Sequence, residues 1–201
     1  MADITSLHVQ RELKPKIEDV IPLFLDGDNK IFAMDLVAYL RANKTAPGWA
    51  GVHNQWKSVC KGKNICRISF ISPRWFATTK GNKRDSKWVV TAYLQHLSSY
   101  EDVVIAEGLQ HLLWENVYYC VHKPNDSAPH EDLRQSAMSY PCNHWNCAPG
   151  KDVVICGKEL TNVCRGGNLQ YYWVYDPDEM TLNGIKRLLE LERRARKTGK
   201  K

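Results

Sequence analysis

No stretch of the 201 residues approaches the run of about eighteen consecutive apolar side chains that spans a bilayer, so the sequence offers no transmembrane helix. The first twenty residues alternate polar and charged side chains without an apolar h-region, which predicts a chain that is not secreted. Internal repeats are missing. So are the metalloprotease pattern H-E-x-x-H, the nucleophile elbow G-x-S-x-G, the P-loop and the dinucleotide fingerprint. Acidic residues are scattered without local pairing, so no catalytic residue is assigned, and a Cys/His hydrolase stands only as the enzyme alternative. What is present is the composition of a globular protein, 43% hydrophobic and 25% charged, which excludes wholesale disorder.

Acidic residues are nearly absent from one segment, and that local lack is informative. Residues 57 to 87 carry Lys57, Lys61, Lys63, Arg67, Arg74, Lys80, Lys83, Arg84 and Lys87 against Asp85 alone, a net +8. Residues 186 to 201 carry a net +6, and the stretch between the two blocks is acidic. A solvated face normally mixes both signs. Here Trp56, Phe70, Trp75, Phe76 and Trp88 lie among or beside the cations instead. Cations attract phosphates and release counterions, and exposed aromatic faces stack on unpaired bases, so the block predicts a nucleic-acid partner. Lys57, Lys61, Lys63, Arg67, Arg74, Trp75, Lys80, Lys83, Arg84 and Lys87 are the candidate contacts, with Arg193, Arg194, Arg196 and Lys197 of the tail as a second set. The tail is predicted to fray after Arg196 through charge repulsion and to present a nuclear-localisation pattern; the nucleus is favoured and the cytoplasm is the alternative.

Hydrophobic periodicity predicts three short helices first: Leu13, Ile17, Val20, Ile21 and Phe24 interrupted by Pro15 and Pro22; Phe32, Leu36, Val37 and Leu40 capped by Asp28 or Asn29; and Trp49, Val52, Trp56, Val59 and Cys60. From Ile65 to Ile71 the period becomes two, a strand. Trp88 to Leu94 reads as a strand or the start of a helix, and residues 101 to 119 as a helix followed by a strand. "KDVVICGKE" and "LQYYWVYD" are expected to pair as a C-terminal hairpin through "RGG". Asp176 as cap, Pro177 at the first position and Leu182, Ile185, Leu188 and Leu189 on one face predict a terminal helix. The expected fold is α+β: N-terminal short helices, a small mostly antiparallel sheet, a C-terminal hairpin and a terminal amphipathic helix. It is divided as 1–122 and 123–201, or is one continuous domain.

Seven cysteines without a secretory signal argue against a disulfide framework. Cys142, Cys147, Cys156 and Cys164, with His144 as an alternative ligand, offer enough soft donors for a structural zinc, although their spacing is wider than the usual two to four residues. Structural zinc and buried free thiols both stand as readings, and no other cofactor is expected.

"FLDGDNKIFAMDLVAYL", with Phe32, Ala33, Asp35, Val37 and Leu40, and "SKWVVTAYLQHL" resemble the Bro-N type DNA-binding domain of large DNA viruses and phages. "SPRWFATTKGNKRDSKW" is similar to a pattern of the SAND domain, another DNA-binding fold. The resemblance implies a viral regulatory or accessory protein that binds DNA. The residues themselves leave DNA and RNA equally open, and a protein partner, homo-oligomer or anionic membrane surface as the alternative to nucleic acid.

Overall fold

The computed structural model describes residues 3–71, 86–117, 150–163 and 171–199. Three helices open the chain: α1 (Leu7–Leu13), α2 (Ile17–Phe24) and α3 (Gly27–Ala42). The Ser6 hydroxyl caps α1 by accepting from the Val9 amide at 3.3 Å, and Pro15 separates α1 from α2. Pro22 lies inside α2, where it lacks the N–H that would bond the preceding turn, and the helix stops two residues later. α3 buries Ala33, Leu36, Val37 and Leu40 at helical spacing. Its N-cap is Asp26 rather than Asp28 or Asn29.

The segment expected as a third helix is a hairpin. β1 (Gly48–Trp49) pairs antiparallel with β2 (Gln55–Cys60), with Trp49 directly opposite Trp56. Of the residues whose spacing suggests a helix, Trp49 and Trp56 face the same way across a turn, whereas Val52 in the turn and Val59 on the outward side of β2 are exposed. Asn54, with φ +54°, holds that turn, and its amide and side chain are clasped by Gln10 at 2.9 and 2.6 Å. β3 (Lys63–Phe70) and β4 (Trp88–Tyr93) continue the sheet, so Trp88 to Leu94 opens as a strand. Next come a 3₁₀ turn (Leu97–Ser99) and two short helices, α4 (Glu101–Ala106) and α5 (Gln110–Glu115).

The C-terminal hairpin forms with different partners from those expected. β5 (Lys151–Ile155) pairs with β6 (Lys158–Val163) through the two-residue loop Cys156–Gly157, whose φ values of +48° and +76° suit a type I′ turn. β7 (Tyr171–Tyr175), taken from "LQYYWVYD", instead pairs antiparallel with β4 and completes a five-stranded sheet of order β1-β2-β3-β4-β7. The chain closes with α6 (Glu179–Thr198), capped by Asp178. Asp176, expected as that cap, instead accepts the amides of Lys87 and Trp88 at 2.9 and 3.0 Å, tying the end of β7 to the start of β4.

Register divides the sheet into two faces. Trp56, Ile68, Val90 and Val174 form one row across four strands and belong to the core with Ile17, Leu36, Leu40, Leu182, Ile185, Leu188 and Leu189. The helices thus cover this face and give the two-layer α+β arrangement. Two fully buried tryptophans pin the N-terminal segment to the sheet: Trp56 Nε1 donates to the Pro15 carbonyl and Trp88 Nε1 to Asn29 Oδ1, both at 3.0 Å. The opposite row is Lys57, Arg67, Thr91 and Trp173. The boundary between 122 and 123 lies outside the described residues. Among the described residues no helix is long and apolar enough to cross a membrane.

Candidate nucleic-acid interface

β2 ends and β3 begins at the two-residue loop Lys61–Gly62, with φ +49° and +76°. This is again the backbone of a type I′ turn, and Gly62 accepts its left-handed conformation without a Cβ penalty. The loop carries Lys61 to the tip with Lys63 beside it and Lys57 further down β2, all three exposed.

The C-terminal end of α6 arrives at this tip. Lys61 Nζ donates to the Lys197 carbonyl at 3.1 Å. A cation here complements the unsatisfied carbonyls and negative dipole of the helix end. Arg196 donates from Nη1 to the Lys63 carbonyl and from Nη2 to the Tyr93 carbonyl, both at 3.1 Å. Segments 136 residues apart in sequence therefore meet at one end of the sheet. Lys57, Lys61, Lys63 and Lys197 have no acidic partner among the described residues.

Arg196 corrects one expectation. The helix runs two residues past it to Thr198, and its side chain is only 3% exposed and spent on Glu192 and two main-chain carbonyls, so it is a structural group rather than a nucleic-acid contact. Its Nε donates to Glu192 Oε1 at 2.7 Å. Glu192, completely buried, also accepts from the His96 ring Nδ1 at 2.9 Å, the His96 amide at 3.0 Å and the Tyr100 hydroxyl at 2.9 Å. Burial opposes the charge on Glu192, but the hydrogen bonds from His96, Arg196 and Tyr100 outweigh it and hold the carboxyl below the ordinary range. Burial, with the Glu192 charge behind it, pushes the Tyr100 phenol up. Sequence reasoning missed His96, Tyr100 and Glu192. The available signal was a Glu–Arg pair, four residues apart, on the face of α6 that otherwise carries leucine and isoleucine.

The remaining expected contacts divide. Arg194 is exposed and ion-paired with Glu190, and Arg193 is half-buried. The Arg67 guanidinium lies over the Tyr93 ring, 5.9 Å from its centroid, and Tyr93 meets Tyr171 edge-on at 4.6 Å. Burial pushes the Tyr93 phenol up, with Arg67 opposing. Tyr93 is thus a packed ring rather than an open stacking surface. Lys87 pairs with Asp26 at 2.6 Å and lies at the far end of β4, because β3 begins with Lys63 and reaches Phe70 before meeting Trp88. At strand rise that separates it from Lys63 by about 25 Å. Arg74, Trp75, Lys80, Lys83 and Arg84 lie outside the described residues.

Cys142, His144, Cys147 and Cys164 also lie outside the described residues. Cys156 is buried in the β5–β6 loop, its thiol pushed up to about 11 by burial and the neighbouring Glu101. Cys60 and Cys66 are buried free thiols, and burial pushes Cys66 up to about 12. Among the described residues no three His, Cys, Asp or Glu side chains are grouped to hold a metal. Comparison of the chain with protein-family models, with curated proteins and with solved structures gave no match.

Proposed function

We propose that the protein binds the phosphate backbone of nucleic acid at the pole formed by the β2–β3 tip and the end of α6. The observation that carries this reading is the bond from Lys61 to the Lys197 carbonyl, which brings Lys61 and Lys63 of the first basic block to the end of α6, within the second. Complementing a helix dipole is worth about 0.3–1 kcal/mol and accounts for one cation at the helix end. It does not account for Lys57 and Lys63, which are exposed and have no acidic partner among the described residues. Like charges gathered on one pole repel one another, and a polyanion relieves that repulsion while releasing its own counterions. Backbone contacts of this kind carry no base code, so the surface suits a regulatory or accessory protein of broad sequence tolerance.

Fluorescence anisotropy with labelled single- and double-stranded oligonucleotides, at two salt concentrations, tests the reading. Affinity should fall steeply with salt, and Lys57→Ala/Lys61→Ala/Lys63→Ala/Lys197→Ala should weaken binding across sequences and flatten the salt slope by about one unit for each phosphate no longer neutralised. Binding to anionic vesicles or an acidic protein, with none to oligonucleotides, would replace this reading.

A further inference from the structure

His96 stands just past the end of β4, beside the pole, and nothing in the phosphate-binding reading uses it. Its backbone amide and its ring Nδ1 are both fixed by Glu192. Arg196 reaches from the same carboxylate to the carbonyls of Lys63 and Tyr93, so His96, Glu192, Arg196 and the start of β3 form one connected unit. The groups facing it are Glu192 and Arg196 from α6, Tyr100 from the turn into α4, and the Lys63 and Tyr93 main chains of β3 and β4; Tyr172 of β7 stands behind Tyr100. The His96 side chain remains 34% exposed, and its Nε2 makes no hydrogen bond among the described residues.

The chemistry of Glu192 decides what that exposed nitrogen offers. An ionised carboxylate only accepts hydrogen bonds, so Nδ1 must carry a proton. In neutral imidazole, Nε2 then presents a lone pair, which repels a phosphate oxygen. In imidazolium it presents an N–H with positive charge, which attracts one. A freely turning histidine could hide this difference by exchanging tautomers or flipping its ring; one fixed by Glu192 cannot do so without breaking that bond.

We propose that His96 is a proton-gated ligand of the basic pole, its Nε2 donating to a phosphate oxygen of the bound nucleic acid when the ring is charged and withholding that bond when it is neutral. The inference rests on the nucleic-acid reading of the pole and adds to it a ligand atom and a condition for its use.

The test is binding of a labelled oligothymidylate and a labelled duplex at about pH 6 and about pH 8, at constant ionic strength. Wild-type protein should bind about two- to fivefold tighter at the lower pH, the range expected of one exposed ion pair. His96→Asn keeps an amide donor near the position of Nδ1 and removes Nε2, so it should lose this gain between the two pH values. Retention of the full gain by His96→Asn overturns the proposal, as does salt-sensitive wild-type binding that ignores pH; both leave the basic pole standing. No binding at either pH overturns both readings. If the variant is unstable, NMR of the wild-type ring substitutes: oligonucleotide added at the lower pH should shift the His96 Nε2 resonance, and an unmoved resonance overturns the proposal.

Discussion

Glu192 and Arg196 occupy positions where α6 presents its apolar stripe to the sheet, and that placement sets their energetics. Taking two charges out of water costs several kcal/mol per ion, offset only where every polar atom finds a partner. Here each carboxylate oxygen accepts two hydrogen bonds, and the guanidinium also serves two strand carbonyls. Arg196→Ala leaves a buried charge unpaired and is expected to lose about 3–5 kcal/mol in denaturant unfolding, whereas Glu192→Leu/Arg196→Met removes both charges and should lose less, its cost being the stranded His96 and Tyr100 donors and the Lys63 and Tyr93 carbonyls. Equal losses in the two variants would show that packing, not charge, sets the cost. The carboxyl of Glu192 is held below the ordinary glutamate range, so its contribution is fully present above that range and lost as pH falls toward the folded value. Acid unfolding should be shallower in Glu192→Gln than in wild type. The clasp between Gln10 and Asn54 is a second buried polar pair, each side chain almost wholly enclosed. Gln10→Leu would strand the Asn54 amide and should cost about 1–3 kcal/mol.

At the scale of elements, α6 carries its basic residues in helical form as far as Lys197, one residue before its end at Thr198. A chain ending at Thr198 keeps every bond of Arg196 and should unfold at the wild-type midpoint, whereas one ending at Glu192 loses the guanidinium from both strand carbonyls and should be markedly destabilised. Circular dichroism melting of the two truncations checks this, and it bears on any localisation experiment that removes the whole tail. The helices are legible because α2, α3 and α6 repeat their apolar residues every 3.6 positions, and β3 because Cys66, Ile68 and Phe70 recur at every second position, although the residues between them are not all exposed. The hairpin of β1 and β2 mimics a helix because cross-strand neighbours such as Trp49 and Trp56 are seven apart, the same spacing as two helical turns. Period two in Trp56, Ser58 and Cys60, with Asn54 before them, is the competing signal. The pairing of β5 escapes a sequence reading because Cys156–Gly157 lacks the usual asparagine or aspartate of a type I′ turn. β7 is recognisable as a strand, but its partner β4 lies about eighty residues away, and no local pattern encodes that choice.

Across the whole molecule, the same limit applies to the candidate site: each lysine of the pole is visible in the sequence, but their meeting is not, since a tertiary contact over 136 residues leaves no periodic trace. The meeting changes what the charge asymmetry predicts. Two basic blocks on separate surfaces would hold two short oligonucleotides per chain, each sensitive to its own lysines. On the proposed reading, the lysines that meet at the β2–β3 tip and the end of α6 form a single footprint that an oligonucleotide of about ten residues can cover. Calorimetric titration with such an oligonucleotide should thus saturate at one per chain. Lys61→Ala/Lys63→Ala and Lys197→Ala should each lower the same binding constant and the same salt slope, since both act on one run of phosphates. Saturation at two per chain, with each variant silencing a different event, would separate the blocks functionally and confine the bond between Lys61 and Lys197 to capping the helix.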